Sequence, residues 1–350
     1  MPPFFRTMHS LTTALLFGLM PPAAMAPSAM AAPAKAKPVA PAYAALPPIS
    51  APDDLWDFAS WDDAHHRLLV AHGKDVLIVD PAQRTVRSIG QIAYAHAVLP
   101  LPGADQILVT SKFDNTLRIL EGASGAERAR ITVDKDPDAT VLSADGHKAY
   151  VMAAKAGVIS VIDLDRREQV GTIALKTGLE VAVLARPDLL AVNSEDFNEI
   201  ELADLNNGKA AGTIPLPGCE GPTGLAIADG TGLALSACAN GKAMLVDIAK
   251  RKVVQTLSIG MGPDTVIWDA ARRRFLVPCG ESASLSSIAL EKGVARALPA
   301  TATGPSARTA AMDPATGRIY LPSARMNPTV KGQPKTVVAG SFRILALAPR

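Results

Sequence analysis

The chain carries none of the short signatures that announce a reaction. There is no Gly-x-Ser-x-Gly elbow, no His-Glu-x-x-His, and no phosphate-binding loop, since Gly241-Lys242 runs into Ala243 and lacks the upstream glycine. Cysteine is sparse, with three residues and no Cys-x-x-Cys, so a copper or zinc centre built on thiolates has no spacing to support it. Neither sign of charge is in excess: the formal balance is +2, which argues against the clustered basic face that a polyphosphate needs. The basic runs Arg272-Arg273-Arg274 and Lys250-Arg251-Lys252 each fall where a hairpin turn is expected and read as solvated turn residues. The apolar run Leu11 to Met20 is closed by Pro21-Pro22 and falls well short of the roughly 20 residues that cross a bilayer.

What is present starts with that run. Arg6 supplies a positive n-region, Leu11 to Met20 an apolar h-region, and Ala29-Met30-Ala31 a small-residue cleavage site, so residues 1–31 read as a signal peptide and the mature chain as periplasmic or secreted. Residues 32–50 are rich in Ala, Pro and Lys and read as an extended linker that ends in a closing strand. From residue 51 to 350, with 48% apolar residues over the whole chain, there is enough material for one large core.

That region repeats with a period of about 42 residues, and periods of 40–45 built of short strands mark propeller blades. Stepping from Pro137-Asp138 gives Gly178-Leu179-Glu180, Pro222-Thr223, Pro263-Asp264 and Ala307-Arg308 forward, and Ala95-His96 and Trp56-Asp57 backward. Five residues on from five of these positions stand Asp62, Leu101, Ser143, Asp269 and Asp313, which enter turns; about fifteen on, an apolar strand has ended at His72, Ser111, Ala153, Ser194, Cys238, Cys279 or Ser323. The third unit reads as four strands, over 139–142, 149–152, 158–162 and 170–175, with Asp145-Gly146 as a hairpin turn. Third strands end in Asp80, Asp163, Asp204 and Asp247, whose place before polar turns makes them turn caps. The fold expected is all-β, a seven-bladed β-propeller of four-stranded antiparallel blades. The last unit lacks its fourth strand, and Ala42 to Ile49 is placed to supply it from the N-terminal side. Pro47 and Pro48 suit that edge position.

Ala149-Tyr150-Val151-Met152, Val158-Ile159-Ser160-Val161-Ile162-Asp163 and Gly171-Thr172-Ile173 resemble the YVTN-type repeat of the YncE-like family of exported bacterial β-propellers. Trp56-Asp57, Cys219-Glu220-Gly221-Pro222-Thr223-Gly224-Leu225, Cys279-Gly280 and Arg318-Ile319-Tyr320-Leu321-Pro322 look like a subgroup of it. Ser236-Ala237-Cys238-Ala239-Asn240 and the Pro/Lys insert from Asn327 to Lys335 depart from the pattern. The resemblance implies a seven-bladed periplasmic propeller and no assigned reaction. A DNA-binding label attached to some members has no support in the charge of this chain.

The repeated polar position starts each innermost strand, so Asp57, His96, Asp138, Glu180, Thr223, Asp264 and Arg308 are expected to ring one mouth of the central channel. Four carboxylates face one histidine and one arginine, and such crowding is relieved by proton uptake, pairing or a bound cation. His96, Asp138 and Glu180 are the candidate ligands of a divalent metal ion, with calcium or magnesium suited to the carboxylates and zinc to the histidine. The alternative is that the same residues only hydrogen-bond neighbouring blades. The strand ends from His72 to Ser323 are expected to add a second rim on the same face. Export makes a disulfide the default, with Cys219 and Cys238 at one end of one blade as the pair and Cys279 left as a buried, inert thiol. Trp61 and Trp268 share an inner-strand position and read as interblade packing. The function these features point to is a monomeric binding or scaffold protein whose mouth takes a small molecule, a metal or a periplasmic protein. A metal-dependent lactonase or lyase is the first alternative and a weak binder of single-stranded nucleic acid the second.

Overall fold

The computed structural model describes residues 40–350; the signal-peptide expectation over residues 1–31 and residues 32–39 of the linker fall outside the described residues. Every regular element among the described residues is a β-strand, and the strands form seven antiparallel sheets in chain order. No helix of the described residues is long and apolar enough to cross a membrane.

Apolar runs in second and third strands explain why the sheets stack as blades. In the first blade, Leu68 and Val70 pack toward the seventh blade, whereas Leu69 and Ala71 pack toward the second. All four are fully buried. A strand covered on both faces needs apolar residues at successive positions rather than at alternate ones, and each such side chain contributes about 1.5–3 kcal/mol on burial. The core is therefore a set of interblade layers, among them one between blades one and two and another between blades four and five.

The circle is closed by the N-terminal strand Tyr43–Ser50, which lies antiparallel on Arg343–Pro349 as the outer strand of blade seven. Its register slips between Leu46 and Ile49, at Pro47-Pro48, where two residues without N–H groups cost the ladder nothing. Arg84 of blade one donates to the carbonyls of Pro47 and Pro48, at 3.2 and 2.7 Å, so the closing strand is also pinned by its neighbour. Trp61 stacks on Tyr320 across the same junction, centroids 5.5 Å apart, while Trp268 packs against Phe275 of its own blade at 4.7 Å.

The conspicuous third-strand aspartates are turn caps. Asp80, Asp163, Asp204 and Asp247 each accept backbone N–H groups two or three residues on. Four residues after each stands one with a left-handed backbone: Arg84, Arg167, Gly208 and Arg251. One blade departs from four strands: in the sixth, Val294–Ala297 and Thr301–Ala302 both pair with Ser284–Glu291. Pro299 lies in the break, and having no N–H it cannot continue a ladder.

Candidate functional site

A repeated backbone device builds the mouth. Two residues before the ring position the chain turns through the left-handed region in six blades: Tyr94 (φ 73°), Asp136 (66°), Gly178 (71°), Gly221 (58°), Gly262 (66°) and Ser306 (58°). Glycine adopts this conformation without penalty, whereas Tyr94, Asp136 and Ser306 hold it against steric cost. The carbonyl there accepts the N–H that follows the second strand, as in Lys112 to Tyr94, 2.9 Å, and Glu195 to Gly178, 2.7 Å. One residue later the inner strand pairs once, as Ala95 with Ser111 or Pro222 with Cys238, and the register then slips in blades two to five. The ring residue is the first in that irregular stretch. A bulge of this kind re-aims a side chain out of the regular pleat.

Ring carbonyls are tied to the preceding blade. His96 O accepts from Phe58 N at 3.1 Å, Asp138 O from the Thr110 hydroxyl at 3.1 Å, Thr223 O from Asn193 Nδ2 at 2.9 Å, and Asp57 O from the Thr309 hydroxyl at 2.7 Å. The ring is thus held on a collar of interblade hydrogen bonds, a rigid support for whatever the side chains do.

Those side chains form two linked chains of charge. His96 lies between carboxylates, Nε2 at 3.4 Å from Asp57 and Nδ1 at 3.1 Å from Asp138. Arg308 donates from Nε to Asp264 at 2.8 Å, holds the Trp56 carbonyl at 3.0 Å, and lies 3.6 Å from Asp57. Glu180 has no cationic group within 4.0 Å among the described residues. Four carboxylates less His96 and Arg308 leave two negative charges uncompensated when all are ionised. Burial pushes the Asp57 carboxyl up to about 7, against the pull of Arg308 and His96 and with help from Asp264 and Asp138. Burial likewise raises Glu180 well above the carboxylate range, and the Asp138 and Asp264 charges add to it. Asp264 is raised by burial in spite of Arg308. Burial opposes the charge on His96, yet the close contact with Asp138 and the charges of Asp138 and Asp57 outweigh it and raise the imidazole above its ordinary value.

Three expectations need correction. Thr223 turns its hydroxyl to the Pro263 carbonyl of the next blade, 2.8 Å away, so it is a strut and not a ligand group. The strand ends from His72 to Ser323 form no second rim open to the channel: His72, Ser111, Ser194, Cys238, Cys279 and Ser323 are buried. Their polar groups brace the loop entering the inner strand, Ser111 accepting from Ala93 N, and Ser194 and Ser323 donating to the carbonyls of Thr177 and Pro305. His72 does the same toward Pro52 O at 3.0 Å. Finally, His96, Asp138 and Glu180 do not converge as a metal trio, because their ligand atoms do not all lie within 4.8 Å of one another. The one group of three such donors within 4.8 Å of one another among the described residues is Asp62, His65 and Asp105. Arg67 ion-pairs with both aspartates there, and a guanidinium in that position opposes a second cation.

Cys219 and Cys238 are joined as a disulfide with Cα atoms 5.5 Å apart, and Cys279 is free and buried. Burial raises the Cys279 thiol above its ordinary value, which suppresses the reactive thiolate.

Cavities converge on the ring. One of about 580 Å³ is lined by Trp56, Tyr94, Glu195, Asp264, Glu281 and Arg308, and by Met326, Asn327, Thr329 and Lys335 of the C-terminal insert. A second, of about 480 Å³, reaches Asp138 and Glu180 and shares Glu195 with the first. The sequence reading missed Glu195, Glu281 and Tyr94. Gly178, Gly221 and Gly262 at one repeat position were a legible sign of the left-handed turn that places Tyr94.

No protein-family model matches the chain, and no curated protein matches it in sequence. Solved structures do match. A chain of hydrazine synthase from Kuenenia stuttgartiensis superposes with a TM-score of 0.67 at 13% identity, over 79% of this chain and 94% of that one. A chain of a mitotic checkpoint complex superposes with a TM-score of 0.72 at 13% identity, over 92% of this chain and 99% of that one. Likeness at this identity shows the seven-bladed propeller fold alone, and that fold serves unrelated functions.

Proposed function

We propose that this chain is a binding protein of the YncE-like, YVTN-repeat kind, exported to the periplasm or beyond, which holds a cation-bearing ligand at the mouth of its channel. The observation that carries this reading is the uncompensated charge of the mouth. Glu180 on the ring and Glu195 and Glu281 on the cavity walls have no cation within 4.0 Å among the described residues, while the ring's own cations are engaged by Asp57, Asp138 and Asp264. A desolvated carboxylate set with spare negative charge selects cations and repels phosphates. Export is supported by the Arg6, Leu11–Met20 and Ala29-Met30-Ala31 pattern together with the Cys219–Cys238 bond, since disulfides persist in oxidising compartments. A metal-dependent lactonase or lyase has less support, because His96, Asp138 and Glu180 do not gather at ligand distance. Binding of single-stranded nucleic acid at this mouth has less still, because its phosphates would meet like charge.

Calorimetric titration of agmatine, spermidine, Ca²⁺, Mg²⁺ and Zn²⁺ into the wild type and Glu180→Gln tests the reading. Binding of at least one cation, with affinity falling roughly tenfold in the variant, is the expected result. No heat and no thermal stabilisation from any of them at low ionic strength and pH 8 would overturn it.

A further inference from the structure

Apolar side chains on the mouth face suggest what carries the cation. Seven large apolar residues are exposed among those described: Val170, Val254 and Val294 lie on outer strands, whereas Phe113, Phe197, Met261 and Val330 lie in loops at the mouth end. Phe113 is 72% exposed and stacks on Tyr94, centroids 4.9 Å apart. It lines a third cavity, of about 650 Å³, together with Ile92, Ala93, Pro334 and Val337. This cavity shares Leu55, Tyr94 and Lys335 with the 580 Å³ cavity, which shares Glu195 with the one over Asp138 and Glu180. The three are therefore one groove, apolar at the Phe113 end and anionic at the ring. Its lysines do not neutralise it: Lys74 pairs with Asp54, Lys112 and Lys155 both pair with Asp136, and Lys335 on the insert wall is a single charge against Glu195 and Glu281.

Resting on the cation-binding reading above, we infer that the groove receives a polypeptide segment of a partner protein that presents a lysine or arginine close to a large apolar side chain. A free metal ion or small amine satisfies the acids but leaves Phe113 exposed beside Tyr94, Ile92, Pro334 and Val337, and an apolar patch rimmed by polar groups marks a protein contact. An extended segment places side chains in separate pockets along a groove. The hairpin of the insert is held by Asn327 N to Thr336 O at 2.9 Å and by the Asn327 amide to Val337 O at 3.0 Å, and it forms one wall of both the apolar and the anionic parts.

Panning phage-displayed random dodecapeptides on the full chain tests the inference. Enriched sequences are expected to pair a basic residue with a large apolar one. As fluorescein-labelled peptides they should bind roughly tenfold more weakly to Phe113→Ser and to Glu195→Gln with Glu281→Gln. All three sites are exposed, so melting temperatures should stay unchanged. No enrichment, enrichment without a basic residue, or peptide affinities that ignore these substitutions overturn it. Agmatine separates the two claims: if agmatine binds and peptides do not, this inference fails and the cation-binding reading stands, and if neither binds both fall.

Discussion

Replacing Asp57 by asparagine should make the protein more stable in mild alkali and leave it unchanged in acid. Asp57 is buried in contact with His96 and Arg308, and burial outweighs both partners, so its carboxyl titrates at about 7 rather than near 3.8. A folded-state value above the unfolded one means that between the two the folded chain holds a proton the unfolded chain has lost. The associated stability is fully present below about pH 4 and is lost as the pH rises through about 7. At about 1.4 kcal/mol per pH unit, the interval from 3.8 to about 7 amounts to about 4 kcal/mol. His96 runs the same way, its raised folded value making a contribution that is present below about 6.5 and lost above its folded value. Asparagine mimics the protonated carboxyl at every pH. Urea unfolding of wild type and Asp57→Asn at intervals from pH 4 to pH 8.5 should therefore show curves that coincide at the acid end and separate by about 4 kcal/mol at the other, in favour of the variant. A constant offset between the two proteins across that range would refute the reasoning, because it would mean that folded Asp57 carries no proton that the unfolded chain lacks.

Arg308→Met should cost about 3 kcal/mol at pH 8, because it leaves Asp264 without a partner and Asp57 with His96 alone, and less at pH 5, because burial favours the protonated form of both carboxyls; urea unfolding at the two values checks the difference. Cys219→Ser with Cys238→Ser should lose about 3 kcal/mol for a bridge whose ends are 19 residues apart, seen as a lower melting temperature that reductant no longer shifts. A chain beginning at residue 51 loses the strand Tyr43–Ser50 and exposes the edge of Arg343–Pro349. It should self-associate through that edge, read by light scattering behind size exclusion, and a monodisperse monomer with the wild-type melting temperature would contradict the closing role.

What was legible in the sequence follows from which interactions repeat. The blade count could be read because every blade buries the same strand positions, and the turn caps because Asp80, Asp163, Asp204 and Asp247 recur at one phase. The ring could be read for the same reason, since one position of the period delivers one residue per blade. The pairing within the ring could not. That Arg308 reaches both Asp264 and Asp57, or that Thr223 bonds the Pro263 carbonyl, depends on side-chain reach across a blade junction, and the period says nothing about reach. Polar residues ending the second strands looked like a rim because they share a phase with the mouth. They are buried because the entering loop covers them and uses their hydroxyls, as at Ser111 and Ser194. The groove was hidden for another reason: its walls come from residues outside the repeat's regular positions, Tyr94 and the insert carrying Lys335 among them.

The division between repeating backbone and non-repeating side chain bears on how the mouth acquires specificity. Left-handed turn, single pair and bulge recur in blade after blade, and the collar of carbonyl hydrogen bonds draws on backbone, threonine and asparagine donors outside the ring. A ring side chain can therefore change without disturbing the collar that presents it. Asp57, His96 and Asp138 are linked by contact, so altering one removes a contact of another, whereas Glu180 has neither a cationic partner nor a collar bond of its own among the described residues. On that footing Glu180 is the ring position most open to substitution for stability and the carboxyl most available to a ligand, whose positive charge would offset the burial and neighbouring charges that hold it protonated. Of the four ring carboxylates, its removal should have the largest effect on cation affinity relative to its effect on folding, and comparing Glu180→Gln with Asp138→Asn by calorimetry and urea unfolding measures that ratio. A larger ratio for Asp138→Asn would move the centre of the site to the His96 side of the mouth.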